Sequence, residues 1–417
     1  MNRYWSLGLL FLTGVLNLFD RQIVNILAQD IKSALSLSDT ELGLLTGTAF
    51  GLFYSVLGIP LGRLADRVDR VKMIVAILML WSAFTALCGA AGNFSQLFLT
   101  RLGVGVGEAG SQPASTSLIP ELFADGRRVA AMSVLLVGAP VGSFLGLWVG
   151  GYVGAVWGWR TAFVVAGIPG FVLAVLMLFT LRDPRSAEMR GSSGGMSLWV
   201  AIRTLTARPR FVWLTIGLVC STFFVYAPGA WLPAFFIRVH GLTTAQVGRL
   251  AALAVGGGGV IGTVGAGILC DGLRVRIPDP EAKILLGALI LGLPALLVTL
   301  LVADRSVALA GMFFLNICAF AYLGPIVTLI QRQATEQTRA LAIAIAISTS
   351  NIFNLTVVLP LVGLLSDSLR RTQGVDAIRY ALAIAGVLMA PMGMLAYWRI
   401  RGADVGIPCS SSGQLGM

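Results

Sequence analysis

From about residue 5 to residue 400 the chain is a succession of apolar stretches roughly twenty residues long, divided by short polar turns. A helix rises about 1.5 Å per residue and a bilayer's hydrocarbon core is about 30 Å thick, so each stretch has the length of one crossing. Spanning strands would instead give alternating segments of about ten residues, and the sequence lacks them. Only 12% of the residues are charged, against about 25% in a soluble chain. With 57% hydrophobic residues and a mean hydropathy of +0.86, the fold class expected is an all-α membrane protein.

Apolar periodicity places spans at roughly 5–29, 40–65, 71–92, 95–121, 129–155 and 159–181. Six more follow at roughly 211–238, 243–270, 282–302, 306–332, 340–365 and 377–400. Residues 1–181 are read as an N-terminal six-helix bundle and 211–401 as a C-terminal one. Between them, 182–210 is rich in Arg, Gly and Ser and reads as a cytoplasmic linker, with a short amphipathic helix from Leu198 to Leu205. Residues 402–417 read as a disordered tail.

The net charge of +11 is a matter of sidedness, not of nucleic acid binding. Alternating topology puts twenty of the 30 basic residues on one side and eight on the other, leaving Arg21 and Arg101 in the membrane. Basic loops stay cytoplasmic, which orients both termini inward across a cell inner (plasma) membrane. Excess positive charge at that surface meets anionic lipids.

The two halves repeat. A shift of 205 residues lays "LSDTELGLLTGTAFG" on "LTTAQVGRLAALAVG", pairing Gly43 with Gly248, Gly51 with Gly256, Gly62 with Gly267 and Asp66 with Asp271. Weak identity at a fixed offset marks a duplicated six-helix unit.

Between the second and third spans stands "GRLADRVDRVK", echoed by "GAGILCDGLR" between the eighth and ninth. "GAPVG" lies in the fifth helix and "WGWRTAF" leads into the sixth. In these motifs the chain resembles the major facilitator superfamily across all twelve helices. Within that superfamily, "LNLFDRQIV", "LFYSVLGIPLGRLADR" and "RLGVGVGEA" are most similar to the bacterial spinster family of lysolipid and sphingolipid transporters. Anion:cation symporters for organic anions share an Asp-Arg in helix 1. The resemblance implies two pseudo-symmetric six-helix bundles, rocking between inward- and outward-open states.

It also implies a conformational latch at Asp66, Arg67 and Arg70, with Asp271 as its echo. A carboxylate at Asp66 could cap a helix N-terminus, which favours an anion, and the fold implied makes that helix 11. The alternative is that the arginines are ordinary inside-positive loop charges. Helix 5 carries Gly138, Gly142, Gly146, Gly150 and Gly154, a small-residue stripe suited to close helix contact. With Pro140 it is read as an interbundle packing seam, helix 8 being the expected partner.

Four ionisable residues fall at membrane depth: Asp20, Arg21, Arg101 and Glu108. Each costs about 2.5–3.5 kcal/mol or more there, which makes it a functional candidate. Arg101 and Glu108 share a helix face but lie about 10.5 Å apart along the axis, so Asp20 and Arg21 of helix 1 are expected to bridge them. Two readings of this set stand. It is a static network fixing helix 1 against helix 4, or it titrates, with Glu108 as principal proton site and Asp20 as the second. In the second reading Arg101 and Arg21 alternate between these carboxylates and a substrate anion. Burial and neighbouring guanidiniums act in opposite senses on a carboxyl, which can bring protonation near physiological pH.

Nothing points to an enzyme: there is no nucleotide loop, zinc-protease motif or nucleophile elbow. His240 reads as a solvated loop residue, and Phe11, Phe19, Phe50, Tyr54, Phe224 and Trp231 as mostly core or lipid-facing, with some of them lining the cavity. Cys88, Cys220, Cys270, Cys318 and Cys409 lack metal or disulfide spacing. The expectation is a secondary transporter without cofactor or metal, working as a monomer among membrane lipids. Protons are its coupling partner and its substrate is small and amphipathic or anionic. The spinster resemblance implies a lysophospholipid or sphingolipid type; an organic-anion or sugar-acid symporter is the alternative, and a non-transport membrane receptor or scaffold ranks below both.

Overall fold

The computed structural model describes residues 2–123, 127–184, 198–334 and 338–401. Nine helices among them are long and apolar enough to cross a membrane. Two of these hold two crossings each. Arg128–Thr180 turns at Gly158 (φ +83°) and the run 341–399 turns at Gly374 (φ +57°), backbone angles that favour glycine. A further span, 94–122, is broken at Ala109 and Gly110 into Phe94–Glu108 and Ser111–Leu122. Twelve crossings result, as the apolar periodicity predicts.

They are numbered here α1 (Arg3–Leu35), α2 (39–67), α3 (Arg70–Cys88), α4 (94–122), α5 (128–157) and α6 (159–180). The second bundle is α7 (Pro209–His240), α8 (244–273), α9 (Pro280–Leu301), α10 (305–332), α11 (339–373) and α12 (Ala377–Arg399). An even number of crossings puts both termini on one face. The short helix read in the linker is present at Leu198–Thr206. The rest of that linker from 185 to 197, and the tail 402–417, lie outside the described residues.

The duplication is visible in the caps. Ser38 and Glu41 form a capping box at the start of α2, and Thr243 and Gln246 form another at the start of α8, 205 residues on. Each box satisfies amide donors that a helix N-terminus leaves free. Inside, α2, α8 and α11 each carry a π-helical segment, at Leu44–Thr48, Ala254–Gly258 and Phe353–Val358. Widened turns of this kind re-aim side chains and gather at functional sites. Those of α2 and α11 face each other: Gly47 abuts the Leu355 carbonyl and Gly51 the Leu355 side chain.

The glycine stripe of α5 has a different partner from the one expected. Gly138 abuts the backbone of Phe11, Gly142 that of Val15 and Gly146 that of Phe19, while Gly150 meets Ile23 and Gly154 meets Leu27. Both rows advance by four, so α5 and α1 run parallel and lock within one bundle. Pro140 is on an exposed face. The contact with α8 uses the adjacent face of α5, where Gly248 meets the Leu147 carbonyl and Gly151 the Gly248 backbone. Gly258 and Gly262 of α8 turn instead onto Phe313 and Ile317 of α10. The physical reason is spacing: a four-residue glycine row matches a helix running alongside, and α1 offers one over its whole length.

A Cβ at Gly142 would lie 2.1 Å from the Val15 carbonyl oxygen, whereas one at Gly229 meets nothing within 4 Å. Gly142→Ala should therefore cost about 1–3 kcal/mol through forced separation of α1 and α5. Gly229→Ala should be neutral or stabilising by about 0.5–1 kcal/mol. Thermal unfolding of the two variants in detergent checks this.

Candidate functional site

Three helices meet at the intramembrane charges because glycine lets them. A Cβ at Gly105 of α4 would strike the Phe50 carbonyl of α2 at 2.5 Å, and one at Gly107 would strike Trp81 of α3 at 2.7 Å. Against this narrow segment lies α1, held by its seam with α5. Glu108, the last residue of the first half of α4, is fully buried there.

Its Oε2 accepts from Asn17 Nδ2 and from Arg21 Nε, both at 2.9 Å. Arg21 Nη2 donates in turn to Asn17 Oδ1 at 2.9 Å. Asn17 and Arg21 are one helical turn apart, so α1 presents an amide and a guanidinium together. Beneath Arg21, the rings of Phe50 and Tyr54 stack 5.1 Å apart, with the guanidinium 4.5 and 4.1 Å from their centroids. Cation–π attraction strengthens where water is excluded. These two aromatics of α2 are thus part of the site, not generic core or lipid-facing residues.

The expected four-membered bridge is divided. Asp20, on the neighbouring face of α1, accepts from Thr85 Oγ1 at 3.2 Å, and its Oδ1 has no partner. Arg101 is buried with Nε and Nη1 unpartnered, its guanidinium 5.5 Å from the Phe50 ring. It lies close enough to both carboxyls to interact with their charge. It also borders a small apolar gap with Val24, Leu42, Leu97 and Phe163. The Arg21–Glu108 pair is therefore formed, and Asp20 and Arg101 stand beside it without pairing. Glu108 Oε1 is also left without a partner. Asn17 and Thr85 were not read from the sequence. Asn17 had a signal, its four-residue spacing to Arg21; Thr85 had none.

Of the residues expected to latch the terminal face, Arg70 works within its own bundle. Arg70 is buried and ties its own bundle together, donating to the Ser117 carbonyl and pairing with Glu121 and with Asp183 (2.6 Å). Arg67 is exposed. Asp271 is exposed beside Arg274 at 3.7 Å. The side chain of Asp66 lies outside the described residues.

An interbundle latch is present on the opposite face. Asp39, at the first turn of α2, takes Arg238 of α7 on both oxygens at 2.8 and 2.9 Å, with Ser366 of α11 at 2.7 Å. Lys32 of α1 completes its shell. Asp367 of α11 accepts from the amides of Asp39 and Thr40 at 2.9 and 2.8 Å and from the Thr40 hydroxyl at 2.7 Å. An aspartate from one bundle thus caps a helix N-terminus of the other, the arrangement expected for Asp66, but at the far end of α11. Thr244 of α8 adds a bond to Asp30 of α1 at 3.0 Å. His240, just beyond Arg238, is the last residue of α7, half-buried against Phe235 and Phe236. It is not a solvated loop residue.

Two six-helix bundles, closed together at one face around charges at membrane depth, define a membrane transporter. The sequence matches the Major Facilitator Superfamily over residues 10–355, and the chain belongs to that superfamily. It is 34% identical over 95% of its length to an MFS-type efflux pump of Mycolicibacterium smegmatis, covering 92% of that protein. Human protein spinster homolog 1 is 34% identical over 54% of the chain and 44% of its own length. A probable galactarate/D-glucarate transporter of Bacillus subtilis is 28% identical over 64% of the chain and 65% of its own length. In structure the chain is similar to a bacterial homolog of the human lysosomal transporter Spinster, crystallised inward-facing and unoccupied. Their TM-score is 0.84 at 25% identity, over 95% of this chain and 97% of the other.

The Asp367 cap should hold the latched face closed. Asp367→Ala removes the cap from the α2 N-terminus, a loss of about 0.5–2 kcal/mol, or about 2- to 30-fold in the closed-to-open ratio. Spin labels at the exposed positions Ala34 and Val375 should report a larger long-distance population in that variant.

Proposed function

We propose that the chain is a proton-coupled secondary transporter of an amphipathic, lipid-like substrate of the lysophospholipid or sphingolipid type. It works by alternating access between the two bundles. The observation that carries the coupling is the Glu108 node. Its carboxylate sits at membrane depth with one oxygen held by Asn17 and Arg21 and the other unpartnered. A proton on Glu108 would weaken its hold on Arg21, whose side chain is 18% exposed against 0% for Glu108. The guanidinium would then be free to take a substrate anion. Protonation and anion binding thereby become alternatives to the same ion pair, which is the linkage that coupling needs. Asp20, with one oxygen open, is the second proton site, and Arg101 a second anion partner.

The spinster likeness supports the lipid-like substrate, as does the aromatic floor of Phe50 and Tyr54, which suits an amphipath. The sugar-acid reading is supported by the Bacillus relative. We place the termini in the cytoplasm of a bacterial inner membrane on the distribution of basic residues, and take the transporter as a monomer.

In proteoliposomes, Glu108→Gln should abolish uptake driven by a pH gradient, by at least about tenfold, while substrate binding persists; unchanged driven uptake would sink the coupling. Lysolipids should raise the unfolding temperature of the detergent-purified protein and sugar acids should not. Stabilisation by sugar acids alone reverses the substrate ranking.

A further inference from the structure

The face of the second bundle opposite Arg21 carries polar groups that no charge explains. Shifting Arg21 by 205 residues gives Tyr226. Tyr226 lies on α7, half-buried, within electrostatic reach of both Arg21 and Tyr54. Its hydroxyl donates to Asn351 Oδ1 of α11 at 2.8 Å. The pair is held rigidly from behind. Asn354, one turn further along α11, donates to the Val219 carbonyl at 3.1 Å, to Thr222 Oγ1 at 3.0 Å and to the Ser350 carbonyl at 3.1 Å. These bonds fix α11 against α7 at the level of Asn351.

We propose that Tyr226 and Asn351 form a hydroxyl-recognising subsite, which selects anionic substrates carrying a free hydroxyl beside the charged group that Arg21 holds. The inference rests on the role of Arg21 given above. With its proton on Asn351, the Tyr226 oxygen still has lone pairs to accept with. The Asn351 amide nitrogen takes no partner among the described residues, so its N–H groups are free to donate. One acceptor beside one donor is the complement of an alcohol, which both donates and accepts. A carboxylate or phosphate oxygen only accepts at neutral pH and would leave the Tyr226 lone pairs unanswered.

The burial pattern agrees. Glu108, Asp20 and Arg101 are withdrawn, whereas Arg21, Tyr54, Tyr226 and Tyr322 remain half-exposed between the bundles. A substrate therefore meets one guanidinium from the first bundle and phenol and amide groups from the second. Its anion and its hydroxyl are read by different halves, so a hydroxylated substrate bridges them.

The test measures binding to the full-length protein in detergent with two matched pairs of probes. One is oleoyl lysophosphatidate and its analogue lacking the free hydroxyl. The other is gluconate and 2-deoxygluconate. The wild-type protein should favour the hydroxyl-bearing member of at least one pair by about tenfold, the worth of one net hydrogen bond. Tyr226→Phe and Asn351→Leu should each bring that ratio near one while leaving the deoxy member's affinity within about twofold. Equal losses for both members, or no hydroxyl preference in either pair, overturns the subsite. A preference confined to gluconate that the variants abolish keeps the subsite and overturns the lipid reading.

Discussion

A carboxylate at membrane depth has to be answered by the protein, because the surrounding hydrocarbon offers it nothing. Here the answer to Glu108 comes from α1, through Asn17 and Arg21. That demand fixes where α1 must lie. The parallel seam with α5 holds it there, and Gly105 and Gly107 bring α2 and α3 near enough to close the pocket. The break in α4 at Ala109 and Gly110 follows directly after the glutamate. Much of the first bundle's packing can be read as the means of bringing one guanidinium to one carboxylate.

The second bundle repeats the frame with the chemistry changed. At an offset of 211, Arg70 becomes Glu281 and Glu121 becomes Arg332. Both pairs are formed, each between a buried and an exposed side chain: Arg70 with Glu121, and Glu281 with Arg332 at 2.7 Å, with Arg274 joining at 3.0 Å. The same helix ends are tied in the same place with the signs exchanged. Attraction survives that exchange, so duplication conserved a contact while losing the residues that first made it. At the centre charge gives way to uncharged groups, Arg21 to the phenol of Tyr226 at an offset of 205 and Glu108 to the apolar Ala319 at 211. One half thus keeps ionisable groups at its centre while the other offers neutral hydrogen bonds.

The twelve crossings were legible because each is a continuous apolar run, a signal carried by local composition. So were Asp20, Arg21, Arg101 and Glu108, since any charge in such a run stands out. What could not be read was pairing. Asp20 and Arg21 are adjacent in sequence but point to different neighbours, Thr85 and Glu108, which only the rotation of α1 decides. The stripe on α5 showed that a helix packs closely there but not which one, since glycines specify closeness and not partner. Asp39 and Asp367 have no sequence signal that pairs them, since their partners lie in the other bundle, although the capping box around Ser38 marks the helix start that Asp367 caps.

The latch and the central node carry similar charge and are built for different ends. Asp39, Lys32, Arg238 and Asp367 sum to zero, and each acid is satisfied from both bundles or from the opposite one. Desolvation offsets most of the attraction in such buried sets, so their net contribution to stability is small while their geometry is strict. That combination suits a contact which must re-form in one register yet open readily. The central node leaves two acid oxygens and two arginine nitrogens unanswered. A structure that pairs the acids of its latch and leaves Glu108, Asp20 and Arg101 partly unpaired keeps its unused hydrogen-bonding capacity inside the first bundle, beside the partly exposed Arg21.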